Sequence, residues 1–158
     1  MRKAVLYIAV ALVSMFAPSG AGAAAGQAAK APVEVPAETY CAECGMRVRG
    51  DGLRFASEII LKDGKVRCFC DVGDMLIHYE VHKKKEDIAA IYVKDYVTGA
   101  WAEGREAYYL ADAKVVTPMR FGILAFAGRE AAEKFKAGKG GGKIYTFQEI
   151  IASRIFRR

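Results

Sequence analysis

The 158 residues contain neither a Gly-x-Ser-x-Gly segment nor a phosphate-binding Gly-Lys-Ser/Thr loop, so acyl and phosphoryl transfer of those kinds have no foothold. The glycine-rich stretch from Gly138 to Lys143 lacks both the Ser or Thr and the following helix that such a loop requires. No internal repeat is present, which excludes a solenoid or a propeller. The N-terminal apolar run, Ala4 to Ala17, is about 14 residues long and falls short of the roughly 20 that a membrane-spanning helix needs. No cysteine precedes Cys41, so nothing there can accept a lipid anchor. Charge of one sign is also in short supply: 24 Lys plus Arg stand against 18 Asp plus Glu, and nucleic-acid binding has no signature beyond that mild basicity.

What is present is a chain with 53% hydrophobic and 11% aromatic residues and only 27% charged ones, enough apolar surface to offset the conformational entropy of one modest domain. Arg2 and Lys3, the apolar run, then Pro18 and a string of small residues through Ala25 have the three-part layout of a secretory signal peptide, expected over residues 1–24 with cleavage near Ala23 to Ala25. The mature protein is expected to be soluble and periplasmic or otherwise extracytoplasmic. Residues 25–38, with several Ala, two Pro and few large apolar groups, read as a linker, leaving 39–158 as the folded domain. Leu53 to Leu61 and Val66 to Phe69 read as strands joined by an Asp63-Gly64 hairpin turn. Asp71 is a candidate N-cap for a helix carrying Val72, Met75, Leu76 and Tyr79 at helical spacing up to Lys83-Lys84-Lys85. Strands are expected at Ile88 to Val93, within Trp101 to Leu110, at Gly122 to Ala127 and at Ile144 to Phe147. Helices are expected at Arg129 to Ala137 and Gln148 to Phe156. Hairpins joined by two or three helices imply an α+β fold with mainly antiparallel sheet.

The four cysteines fall in two close pairs, Cys41-Ala42-Glu43-Cys44 and Cys68-Phe69-Cys70, which a hairpin can bring to one point, a metal-site signature. The first pair brackets a turn ending in Gly45, a knuckle whose amides can face a thiolate. The second sits where a strand meets a helix N-terminus, whose positive end lowers a thiol pKa. If the strand runs through Cys70, Cys68 and Cys70 share a face; if the helix begins there, one is turned away, and Cys70 is favoured as the donor. Three methionines flank the thiols: Met46 after Cys44-Gly45, Met75 one turn into the helix, and Met119 in Thr117-Pro118-Met119. Thioether and thiolate together select Cu(I) over the harder Zn2+, although Met75 also fits the core stripe of its helix. His78 and His82 share a helix face and could bind one metal, but beside the lysine run they read as a solvated helix end. Arg154, Arg157 and Arg158 read as a basic tail.

Cys-x-x-Cys-Gly-Met, then Asp-Gly, a Phe-Cys-Asp segment leading to a Met, IYVKDYVTGAW, EAYYL, TPM, LAFAGREAAEKF to GGK, and YTFQEI resemble the NosL family from about Tyr40 to Ile150. The resemblance implies an exported accessory protein of nitrous-oxide reductase maturation: a small α+β domain, not an enzyme, that binds one Cu(I) for a copper-accepting client enzyme or membrane transporter. By motif it implies Cys41, Cys44, Met46, Cys70, Met75 and Met119 as metal ligands. Two features depart from the family pattern. The lipid-anchor cysteine of many members is absent, and the usual glycine after Pro-Met is Arg120. Cys68 is an additional thiol, which opens the alternative of a structural four-cysteine zinc site. A thiol-disulfide oxidoreductase using Cys41 and Cys44 is a weaker alternative, because such pairs open a helix whereas Gly45, Gly50 and Gly52 follow here.

Overall fold

The computed structural model describes residues 31–139 and 141–157. The expected signal peptide, and the linker before residue 31, lie outside them. Residues 50–55 form a 3-10 helix, followed by β1 (Ser57–Leu61), β2 (Val66–Phe69), α1 (Val72–His82), β3 (Ile88–Lys94), β4 (Trp101–Glu103), β5 (Tyr108–Ala111), β6 (Ile123–Phe126), α2 (Arg129–Lys139), β7 (Lys143–Thr146) and α3 (Phe147–Ser153). The fold is α+β, but the strands make two antiparallel sheets, ordered β2-β1-β3-β4 and β6-β5-β7.

The β1–β2 hairpin turns at Gly64, φ +90°, while the Asp63 carboxylate accepts from the Lys65 amide at 3.0 Å. Its register pairs Glu58 with Cys68 and Ser57 with Phe69. Phe69 is fully buried in the core, so its neighbour Cys68 faces the other side of the sheet. β1 lies between β2 and β3 and all five of its residues are buried. The expected strand at Leu53 to Leu61 is half as long. Gly50 adopts φ +59°, the Ala56 amide closes on the Leu53 carbonyl at 3.1 Å, and the chain extends only from Ser57.

Trp101 to Leu110 holds two strands rather than one. A turn at Gly104 to Glu106, closed by the Ala107 amide on the Glu103 carbonyl at 3.0 Å, carries the chain from one sheet to the other. Gly104 is needed there because a Cβ would lie 2.6 Å from Ile91. Asp95 fastens the sheets together. Its carboxylate accepts from the amides of Val97, Thr98 and, at 2.8 Å, Ala127 just past β6. The main core fills the space between α1 and both sheets, and a smaller one packs Ala132 and Phe135 of α2 against Leu110, Leu124 and Phe126.

The terminal helix stops earlier than expected. Arg154 takes a left-handed conformation, φ +53°, and the chain turns so that Phe156 enters the core. Arg154 and Arg157 both pair with Glu80 of α1, at 3.0 and 2.6 Å, so they are not a free basic tail. Before the knuckle, the Val33 amide donates to the buried Glu58 at 3.0 Å and Val35 packs on the core.

Candidate metal centre

The first cysteine pair sits in a tight knuckle. The Cys41 amide donates to the Met46 carbonyl at 2.7 Å, the Gly45 amide to the Cys41 carbonyl at 3.0 Å, and Gly45 takes φ +73°, which costs glycine little. An isolated bridge between Tyr40 and Arg47 closes the base. The Ala42 amide donates to the Cys68 carbonyl at 2.8 Å, which lashes the knuckle to β2.

The second contribution comes from the junction of β2 and α1. Asp71 caps α1, one carboxylate oxygen accepting from the Gly73 amide at 3.0 Å and the other from the Met119 amide at 2.9 Å. The cap starts the helix, presents Cys70 at its mouth and tethers the Thr117-Pro118-Met119 loop beside it. Gly73 permits the close fit: a Cβ there would stand 2.1 Å from the Phe121 ring.

Cys41, Cys44, Cys70 and Asp74 converge, each offering a donor atom, all within 4.8 Å of one another. The Cys44 and Cys70 sulfurs are 3.4 Å apart, and one oxygen of Asp74 lies 3.4 Å from the sulfurs of both Cys41 and Cys70. Two thiolates on one tetrahedral ion at about 2.3 Å would be about 3.8 Å apart, so a metal needs only a few tenths of an ångström of opening between Cys44 and Cys70. Cys41, Cys70 and Asp74 are almost sealed, at 4%, 3% and 2% exposure, whereas Cys44 is half-buried. The Cys70 thiol's hydrogen bond and the amides of Cys44, Cys70 and Glu43 outweigh burial and hold Cys41 well below the usual thiol range. Burial pushes Cys44 up to about 11. Burial, with Cys41 beside it, raises Asp74 to about 7. Cys41 therefore has the strongest thiolate character in the cluster, and an ion bound there would displace the protons of the others. Three sulfurs and a carboxylate fit a thiophilic ion.

The other residues singled out by sequence are placed as follows. Cys68 is turned away; its thiol donates to Glu58 at 3.7 Å and burial pushes it up to about 12, so no four-cysteine arrangement forms. Met119 is partly buried against the core, tethered by its own amide to the cap next to Cys70. Met46 stands 44% exposed just after the knuckle, and Met75 is fully enclosed in the core. Arg120, where the family pattern has glycine, adopts φ +60° in the turn closed on the Thr117 carbonyl. Asp74 was not signalled as a donor; its place four residues after Cys70, one helical turn on, is the pattern that could have revealed it. His78 is not a solvated end: it is 6% exposed and its ring nitrogens lie 3.2 and 3.3 Å from Glu43 and Glu86.

No helix among the described residues is long and apolar enough to cross a membrane. No curated protein sequence matches the chain significantly. Its structure is similar to the crystal structure of the copper chaperone NosL from Shewanella denitrificans, with a TM-score of 0.63 and 23% identity over 77% of this chain and 96% of that one. At that identity the likeness is one of fold. The NosL family model matches residues 32–155, most of the chain and all of the elements that build the thiol cluster. The protein is therefore a member of the NosL family.

Proposed function

We propose that the protein carries one Cu(I) ion as cargo outside the cytoplasm and passes it to a copper-accepting client, either an enzyme such as nitrous-oxide reductase or a membrane transporter that serves it. Family membership and the fold shared with a copper chaperone support this reading. The observation that carries it is the convergence of three thiols at one point with a single one, Cys44, reaching solvent. Cys41, Cys44 and Cys70 hold the ion. Met119 is the first thioether to join them because its backbone is fixed beside Cys70. Met46 offers a second at the rim, and Met75 supports the site from the core beneath. Soft sulfur donors favour Cu(I).

Delivery is ligand exchange without change of oxidation state. A client thiolate or imidazole approaches the exposed side, replaces Cys44 first, and then takes the buried sulfurs in turn. Tyr40, 57% exposed, and Met46 give that side an apolar rim for a partner. The knuckle does not open a helix, and no substrate chemistry is assigned to it. Residues 1–24 serve as the export signal.

Anaerobic titration should give one tightly held Cu(I) per chain. The Cys41→Ser, Cys44→Ser double variant should lose more than the roughly 10–100-fold in affinity that a supporting group alone contributes. Unchanged binding rejects the site. Asp74 favours a second reading, since a carboxylate is a donor that zinc accepts readily. A structural zinc site would make the fold depend on the ion, so thermal melts with and without chelator separate the two: a folded metal-free domain supports the carrier, and chelator-induced unfolding supports zinc.

A further inference from the structure

The last turn of α1, the turn between the two sheets and α3 come from stretches far apart in sequence, and together they enclose a cleft of about 330 Å3. Its floor is apolar. Tyr79 and Phe147 meet edge to face with centroids 5.0 Å apart, and Ile151 and Ala152 of α3 continue the wall. Two cations, Lys83 and Arg105, complete the lining. Phe147 is 4% exposed whereas Lys83 and Ala152 are exposed, so the cleft is closed beneath and open outward. Its volume lies at the small end of ligand sites, enough for one or two side chains.

The contacts that hold the walls also consume the acid nearby. The Tyr109 hydroxyl donates to the Gly104 carbonyl at 2.5 Å and so fixes the turn that carries Arg105. Glu80, next to Tyr79, is taken by Arg154 and Arg157, which tie the chain after α3 to α1. Glu103 accepts from the Glu106 amide at 3.0 Å and comes no nearer than 3.9 Å to Arg105. Lys83 pairs with no carboxylate among the described residues; its Nζ stands 5.6 Å from the centre of the Tyr79 ring, over the floor. Lys84 and Lys85, both exposed, carry the positive run past the cleft. The complement of an apolar slot edged by unneutralised cations is an apolar anchor flanked by carboxylates. A free aromatic acid would fill the slot and leave Lys84 and Lys85 unused, whereas a run of acidic residues meets both.

We infer that this cleft is a docking site for an acidic peptide segment of a partner protein, with one aromatic or leucine side chain entering between Tyr79 and Ile151 and carboxylates on either side meeting Lys83 and Arg105. Lys83 follows Asp74 of the thiol cluster by nine residues, about 14 Å along the helix axis, so the grip is separate from the thiols. It stands whether or not the thiols carry copper, and its test needs no metal.

The 15N-labelled mature protein is titrated with the peptide acetyl-Glu-Asp-Phe-Leu-Glu-Asp-amide while backbone amide resonances are followed. The expected result is a saturable shift centred on Tyr79, Phe147 and Ile151. Lys83→Glu, Arg105→Glu and Ala152→Trp, which fills the slot, should each weaken binding about tenfold or more, and Lys84→Glu should cost less. A peptide with Gly in place of Phe and Leu should lose a similar factor, because charge alone then remains. The same spectra report whether each variant is folded, and Lys83→Ser or Arg105→Ser replaces a charge reversal that is not. No saturable shift with the acidic peptide, equal binding of the glycine peptide, or full affinity in Ala152→Trp overturns the proposal. Phosphatidylglycerol vesicles that bind equally to the wild type and Ala152→Trp, while the peptide has no effect, assign the cations to a membrane surface and overturn it too.

Discussion

Asp95 ties the two sheets with one side chain, and its chemistry makes the join sensitive to acid. Burial alone would raise this carboxyl, but the amides of Ala127, Thr98 and Val97 and the Thr98 hydroxyl hold it below the usual carboxylate range. A carboxylate depressed in the folded state stabilises at pH above its unfolded value, near 4, and that contribution disappears as pH falls through the lower folded value. Denaturant unfolding of the wild type should therefore weaken below about pH 4, and the Asp95→Asn variant should show a flatter acid limb. At neutral pH, Asp95→Ala should cost about 2 kcal/mol by stranding the amides it satisfies. At this scale the sequence was informative about chemistry and silent about partners. The spacing of Cys41, Cys44 and Cys70 pointed to a gathering of thiols, and the three sulfurs do converge. Whether Cys68 joined it depended on one residue of strand register, and the helix that begins after Asp71 turned it aside. Asp74 passed unnoticed and His78 read as part of a solvated helix end, because the setting of each comes from what faces it across the fold, thiols in one case and Glu43 in the other.

Among the elements, α1 was the most readable. Its cap at Asp71, its apolar positions and its end at the lysine run are all local signals, and the helix spans Val72–His82 as those signals indicate. The β1–β2 hairpin was similarly plain from Asp63-Gly64. The 3-10 segment was not, since an apolar stretch that includes Leu53 and Phe55 carries the same periodicity whether it extends or coils. The loop after β5 contains a mismatch that can be tested. Arg120 occupies a left-handed conformation, which costs a residue with a Cβ roughly 1–2 kcal/mol. Arg120→Gly should raise stability by up to about 1 kcal/mol, part of the relief being offset by the greater unfolded-state freedom of glycine. Urea denaturation followed by far-UV circular dichroism is the check, and an unchanged or lower midpoint would show that the turn tolerates arginine without strain.

Over the whole molecule, hairpin content indicated the class but not the division into two sheets. That division hangs on the turn at Gly104 and on contacts between Asp95 and Ala127, which are distant in sequence. The last residues mattered more than their charge suggested. Phe156 is fully buried, so Phe156→Ala should cost about 3–5 kcal/mol, measurable as a lower denaturation midpoint with the slope preserved. Arg154 and Arg157 meet at Glu80, a residue that sits between His78 and His82 on α1. The knuckle reaches that same helix through Glu43. Segments near both ends of the folded chain thus fasten to one rod, and that rod bears the donors. A protease that clipped the final turn would loosen the seating of the thiol cluster without touching a single sulfur.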